Sequence, residues 1–201
     1  YQEVSHVLSL VVPVLNVRGQ YNHLITRMFT ELGVKSELIP METTLEDLKR
    51  MKIDALAAGG GPQRVQEALK EGALGNLPKL LKEVDVPLLC ICVTHQLLAV
   101  VYGGEAGPAP APEFGPVEII VDDEDEILKG MGPTFTAWGS HNDEVIRLPV
   151  GFLSLAHSDN CRVQAMRHEK RPMYGVQFHP EVSHTAKGKF VFRNFLDAVR
   201  R

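Results

Sequence analysis

The chain opens on a run of apolar residues, Val7 to Leu15, broken only by Ser9 and Pro13. A run without alternation suits a strand buried on both faces. The period then changes: Leu24, Ile25, Met28, Phe29 and Leu32 recur at helical spacing across Tyr21–Leu32, and Gly33 stops the helix. Ser36–Ile39 reads as a short strand, and Thr43 or Thr44 can cap a helix running to about Met51. Ile53–Ala58 reads as a strand that ends in Gly59-Gly60-Gly61-Pro62. Helical stretches near Gln63–Lys70 and Pro78–Val84 lead to an apolar strand, Val86–Ile91. A helix, Thr94–Tyr102, follows and is closed by Gly103-Gly104.

The second half has a different rhythm. Pro108-Ala109-Pro110-Ala111-Pro112 is expected to be a stiff surface loop, and Asp122–Glu126 a solvated one. Between and beyond them lie short strands: Val117–Val121, Thr134–Trp138, Phe152–Ala156, Val163–Arg167 and Met173–Phe178. Their spacing suits antiparallel hairpins. An amphipathic helix closes the chain, from about Ala186 to Val199. The expected class is therefore α/β: a mostly parallel central sheet flanked by helices, with a smaller antiparallel sheet in the C-terminal half. Residues 1–201 are read as a single domain. In such sheets the ligand crevice lies beyond the carboxyl ends of the strands. The glycine run and the turn holding Cys92 both fall there.

Composition narrows the function classes. With 44% hydrophobic and 23% charged residues the chain is a folded globular one, not a disordered one. Lys and Arg total 21 against 25 for Asp and Glu, a net charge of −4 that lacks the basic footprint of a nucleic-acid binder. No apolar run approaches the ~20 residues of a membrane span. Glu3 stands where a secretory leader carries positive charge, so a cytoplasmic location is expected. Three cysteines, Cys90, Cys92 and Cys161, are too few and too odd in number for a disulfide framework.

Two places can carry chemistry. Cys92 lies at a strand-to-helix junction, where a sharp turn exposes the side chain above the sheet and the helix N-terminus faces the sulfur. The backbone N–H after such a nucleophile can serve an oxyanion hole. Position alone does not separate this from a buried structural cysteine. His179 ends an apolar strand, Pro180 fixes the exit of the chain, and Glu181 can turn back to hold the imidazole. That is the base-and-orienter half of a Cys–His–carboxylate triad, or else a surface His and Glu in a turn. The glycine run offers backbone N–H groups to a phosphate or an oxyanion, without the Lys and Ser/Thr of a P-loop. Metal binding fits poorly, since Cys90-x-Cys92 has the wrong spacing and its side chains point to opposite faces.

The order of these pieces is more specific than any one of them. The glycine-rich turn comes first, then the Cys92 elbow followed by His95-Gln96. Ser140-His141-Asn142-Asp143-Glu144-Val145 and Gly175-Val176-Gln177-Phe178-His179-Pro180-Glu181 come after. This resembles the class I (triad) glutamine amidotransferases. Gly19-Gln20-Tyr21-Asn22-His23 and His184-Thr185-x-Lys187-Gly188 narrow the resemblance to glutaminase subunits of two-subunit, archaeal-type GMP synthases. It covers about Val11 to Val199. The resemblance implies that Cys92 attacks the side-chain amide of glutamine, that His179 is the base, and that Glu181 orients it. It places the N–H groups of Gly61 and Val93 in the oxyanion hole. Gln96 would help to hold glutamine, with Ser140, His141 and Asn142 near its amino-acid end. No cofactor or metal is implied in this subunit. ATP and Mg would sit on a separate ATP-pyrophosphatase subunit that aminates XMP, docked as a heterodimer against Asp143 and Glu144 or His184 to Lys187. A glutaminase serving an anthranilate or aminodeoxychorismate synthase, or a weakly catalytic regulatory subunit, are the alternatives.

The elbow departs from the family's usual Gly-x-Cys-x-Gly. Cys90 and Thr94 stand in the glycine places, so either small neighbours compensate or the elbow is distorted. Gly59 replaces the usual Ser before the glycine pair, which is expected to loosen the oxyanion loop.

Overall fold

In the computed structural model, which describes residues 9–201, strands and helices alternate as the periodicity predicts and build one mixed sheet with helices on both faces. The first half runs β1 (Val14–Asn16), α1 (Asn22–Glu31), β2 (Leu38–Pro40), α2 (Leu45–Met51), β3 (Leu56–Ala58), α3 (Val65–Glu71), α4 (Leu77–Glu83), β4 (Leu88–Ile91) and α5 (Val93–Val101). The second half runs β5 (Glu105–Val121), β6 (Thr134–Arg147), β7 (Phe152–Ser158), β8 (Cys161–His168), β9 (Met173–Val176) and α6 (Gly188–Val199). Residues 7 and 8 of the first apolar run, and Glu3, lie outside the described residues. Of the two candidate caps for α2, the chain uses Thr44: its hydroxyl accepts from Asp47 N–H, and the Asp47 carboxylate accepts from Thr44 N–H.

The strand order is β2-β1-β3-β4-β9-β8-β7-β5-β6. Neighbours from β2 to β9 are parallel, and those from β9 to β6 are antiparallel. The antiparallel strands therefore extend the parallel ones through β9. Parallel strands need both faces covered, and β4 shows how. Leu89 and Ile91 face a core closed by Phe29 of α1 and Phe192 and Phe195 of α6. Leu88 and Cys90 face a second core closed by Ala68 of α3, Leu77 of α4 and Leu97 of α5.

Two expectations are corrected. The proline run is not a loop; it lies within β5. Proline lacks the N–H a ladder needs, but β5 pairs with β7 only at Ile120 and Val121 and faces β6 alone before that. The β5–β6 register shifts between Pro108 and Glu113, so the intervening residues bulge out of the ladder. The acidic run is solvated only at its start. Asp125 pairs with Arg167 at 2.6 Å, Glu126 pairs with Arg201 at 2.7 Å, and Glu126 accepts from the Tyr174 hydroxyl.

Candidate active site

Three adjacent parallel strands deliver the site. β3 runs into the glycine loop, β4 into Cys92, and β9 through Gln177 and Phe178 into His179. Their carboxyl ends open on the same edge of the sheet, where a crevice is expected. A cleft of about 420 Å³ lies there, lined by Gly60, Gly61, Cys92, Val93, Ser140 and His179 among others.

Cys92 adopts φ 58°, ψ −113°, a left-handed backbone that is strained for a residue with a Cβ. Its surroundings hold it there. Cys92 N–H donates to Val176 O at 2.8 Å, and Cys92 O accepts the first bond of α5 from Gln96 N–H at 3.2 Å. The Thr94 hydroxyl accepts from Ile91 N–H at 2.9 Å and donates to Ala58 O at 2.8 Å, tying the elbow to β3. Cys90 fits because its register partners are Ala58 in β3 and Gly175 in β9. Small neighbours thus accommodate Cys90, and Thr94 is accommodated by the hydrogen bonds of its hydroxyl. Burial pushes the Cys90 thiol well above its ordinary pKa and the Cys161 thiol up to about 12. Among the described cysteines, Cys92 is the one that lines the cleft.

His179 Nδ1 donates to Glu181 Oε1 at 2.6 Å, and its ring lines the cleft together with Cys92. Burial, the largest single influence, pushes the imidazole pKa down. The Glu181 carboxylate and the Cys92 sulfur together outweigh it and leave the pKa well above the ordinary histidine value. Backbone bonds fix the ring's root: His179 N–H donates to Trp138 O at 2.9 Å, and the Thr185 hydroxyl donates to His179 O at 2.6 Å. Tyr21 meets the ring edge-on at 5.2 Å between centroids.

The glycine loop is tied down, which corrects the expectation from Gly59. A Cβ on Gly59 would lie 1.9 Å from Asn22 Oδ1, so the Asn22 side chain occupies the space a serine would need. Asn22 Nδ2 donates to Gly60 O at 3.1 Å, and Gly19 N–H donates to the same oxygen at 3.1 Å. In a trans peptide the N–H points opposite to the C=O. The two bonds on Gly60 O therefore fix the direction of the Gly61 N–H. Gly60 itself passes close over Cys92: a Cβ on it would lie 3.3 Å from Cys92 Cβ.

β6 forms the opposite wall. Ser140 O accepts from Cys92 Sγ at 3.8 Å, His141 is buried, and Asn142 is exposed at the rim. Gln96 Nε2 donates both hydrogens, to Asp143 O at 2.8 Å and Gln177 Oε1 at 3.0 Å, which leaves its carbonyl oxygen for a ligand.

A tied glycine loop, a strained elbow at Cys92 and a His179–Glu181 pair, in this chain order, meet one family model. Residues 13–199 match glutamine amidotransferase class-I. The chain belongs to the class I glutamine amidotransferases. Within that family it is 44% identical over 183 residues to a glutamine-hydrolysing GMP synthase subunit of Archaeoglobus fulgidus, covering 91% of this chain and 95% of that one. It is 47% identical over 183 residues to the corresponding subunit of Saccharolobus solfataricus, with the same coverage, 91% and 95%. A crystal structure of a GMP synthase subunit from Thermoplasma acidophilum superposes with a TM-score of 0.89 at 35% identity, covering 97% of this chain and 96% of that one. A Thermotoga maritima glutamine amidotransferase at 18% identity shares the fold, with a TM-score of 0.74 over 95% of this chain and 82% of that one.

Several residues of this amidotransferase's site have no sequence signal of their own. Gln177 Nε2 lies 3.7 Å from the Cys92 sulfur, and Arg64 pairs with Asp143 at 2.7 Å across the cleft mouth. Glu144, read as part of a docking face, is fully buried against Arg162. In the other segment of that face His184 is exposed, whereas Thr185 is buried. Glu113, His141 and Cys161 bring one ligand atom each within 4.8 Å of one another, a grouping no spacing in the sequence suggests. The Glu113 carboxylate there is already engaged by His141, Ser158 and Gln164. No helix among the described residues is long and apolar enough to cross a membrane.

Proposed function

We propose that this chain is the glutaminase subunit of a two-subunit GMP synthase. The observation that carries the reading is the placement of Cys92 on a strained elbow beside the His179–Glu181 pair, within a cleft large enough for an amino acid. The Cys92 sulfur attacks the side-chain carbonyl carbon of glutamine. The oxygen becomes an oxyanion held by the N–H groups of Gly61 and Val93. His179, having taken the thiol proton, returns it to the leaving nitrogen, and ammonia departs. Water, deprotonated by His179, then cleaves the γ-glutamyl thioester to give glutamate and free Cys92. Gln96, with the Ser140, His141 and Asn142 segment, holds the amino-acid end of the substrate.

The relatives named as subunits of glutamine-hydrolysing GMP synthase support the assignment of the ammonia to a partner. That partner is a separate ATP-pyrophosphatase subunit, which binds ATP and Mg and converts XMP to GMP in a cytoplasmic heterodimer. The well-formed elbow and triad favour a working enzyme over a regulatory subunit.

The test is 6-diazo-5-oxo-norleucine, an electrophilic glutamine analogue, followed by peptide mass spectrometry. An adduct on Cys92 alone is expected, together with glutamate release that rises when the synthetase subunit, ATP, Mg and XMP are present. Absence of a Cys92 adduct both with and without that subunit overturns the reading.

The glycine loop gives a second expectation. Gly59→Ser restores the family's usual residue, yet here it should lower glutaminase kcat/KM about tenfold, equivalent to ~1.4 kcal/mol of barrier. The added Cβ drives Asn22 off Gly60 O. Adding Asn22→Ala in the same chain should recover part of the loss, as steady-state kinetics of the pair will show.

A further inference from the structure

The wall of the cleft formed by β6 has a gap in its strand ladder. Pro108 pairs with Asp143 and Glu113 with His141, and the register shifts between these two pairs, so pairing lapses at Asn142. Side chains take over there. Glu113, 6% exposed, accepts from His141 Nε2 at 2.7 Å and from Gln164 Nε2 at 2.8 Å on one carboxylate oxygen, and from the Ser158 hydroxyl on the other. The second nitrogen of His141, Nδ1, faces Asp143 O at 2.7 Å. The ring thus bridges the Glu113 carboxylate and the Asp143 carbonyl. Burial pushes the Glu113 carboxyl pKa up, but the His141 ring and the Ser158 hydroxyl outweigh it and hold it below the ordinary carboxylate value. A buried pair of this kind adds little net stability unless its remaining bonding capacity is met. Ser158 and Gln164 meet it here.

The network continues forward to the nucleophile. Asp143 O also accepts from Gln96 Nε2, Gln96 reaches Gln177, and Gln177 Nε2 lies 3.7 Å from Cys92 Sγ. Ser140 O takes the thiol from the other side. We infer that Glu113 is a positioning residue for glutamine hydrolysis: it holds the His141 ring, and through it the Asp143 carbonyl, so that Ser140–Asp143 stands over Cys92 as one wall of the substrate pocket. The inference rests on the glutaminase reading and adds the group that sets the pocket's shape.

Three substitutions test it, in the nucleotide-bound complex with the synthetase subunit. Glu113→Ala frees the His141 ring and should raise KM for glutamine by at least about tenfold, the scale of a lost buried hydrogen bond. Alkylation of Cys92 by iodoacetamide, which needs no glutamine pocket, should stay within about twofold of wild type. Glu113→Gln should return KM to within about threefold of wild type. Its amide can donate to His141 Nε2, and Gln164 can turn toward it a carbonyl oxygen that is otherwise buried without a partner. Glu113→Asp keeps the charge but draws the carboxylate back by one methylene. It should raise KM about fivefold and carries the test if the alanine variant does not fold. An unchanged KM in Glu113→Ala or Glu113→Asp overturns the inference. So does alkylation that slows in step with hydrolysis, or a Glu113→Gln variant as impaired as Glu113→Ala. A wild-type complex that neither hydrolyses glutamine nor takes the analogue at Cys92 defeats the glutaminase reading instead.

Discussion

Cys92→Ala is expected to reduce glutamine hydrolysis to below about a thousandth of the wild-type rate, because covalent catalysis loses its nucleophile and no other group can replace it. The two remaining cysteines cannot substitute. Cys90 sits on the opposite face of the sheet, and burial raises the thiol pKa of both Cys90 and Cys161. The variant should fold normally. Alanine keeps the Cβ, so the strained backbone at φ 58° is neither relieved nor worsened. The sulfur makes only two weak hydrogen bonds that alanine gives up, at 3.8 Å to Ser140 O and 3.7 Å from Gln177 Nε2. Thermal unfolding within about 2 °C of wild type is therefore expected, since a change of 1 kcal/mol would move a protein of this size by roughly 2–4 °C. A soluble, folded variant that still released glutamate would remove Cys92 from the mechanism. The synthetase reaction driven by added ammonia should be untouched, because it does not use the thiol.

The parts of this site visible in the sequence are those whose partners are close along the chain or sit where an element ends. Glu181 lies two residues from His179, so their pairing follows from a turn. Cys92 stands where an apolar strand gives way to a helix, so the elbow follows from the change of period. Residues brought together by the sheet were not visible. Glu113 and His141 are 28 positions apart and meet across an irregular hairpin. Gly59 and Asn22 meet between β3 and α1, so the fit of one to the other shows only in space. Glu144 reads as a surface acid by type, but its strand position turns it inward to Arg162. The proline run misled for a related reason. Proline breaks a ladder only where a partner needs the missing N–H, and which strands flank β5 is decided by topology rather than by local sequence. The elements themselves were legible because burial imposes their periods. Their bounds were not: β5 begins at Glu105 rather than Val117, and β6 runs on to Arg147 rather than ending at Trp138, because ladder contacts across the hairpin set them.

Glu181→Gln is expected to lower kcat/KM by about a hundredfold or more and to move the alkaline limb of its pH profile to lower pH. Neither orientation of the new amide reproduces the carboxylate. With its oxygen toward His179 Nδ1, the amide nitrogen falls where Glu181 Oε2 lies, a buried spot without a hydrogen-bond partner. Turned round, it offers N–H to Nδ1 and forces the ring proton onto Nε2, facing the sulfur it should deprotonate. In both cases the negative charge that raises the His179 pKa is gone. The sign follows. Wild-type imidazolium, stabilised by Glu181, keeps its proton to higher pH, and that proton must reach the departing ammonia. Without the charge the ring loses its proton earlier, so activity falls off earlier as pH rises. Stability carries the same linkage. A folded pKa above the unfolded value of about 6.5 means that His179 contributes fully below that pH and loses its contribution as pH climbs through the folded value. Wild type and variant should thus differ most in melting temperature near pH 6 and converge on the alkaline side. A kcat/KM profile that fell in height without moving its alkaline limb would show that Glu181 only holds the ring in place and does not set its charge.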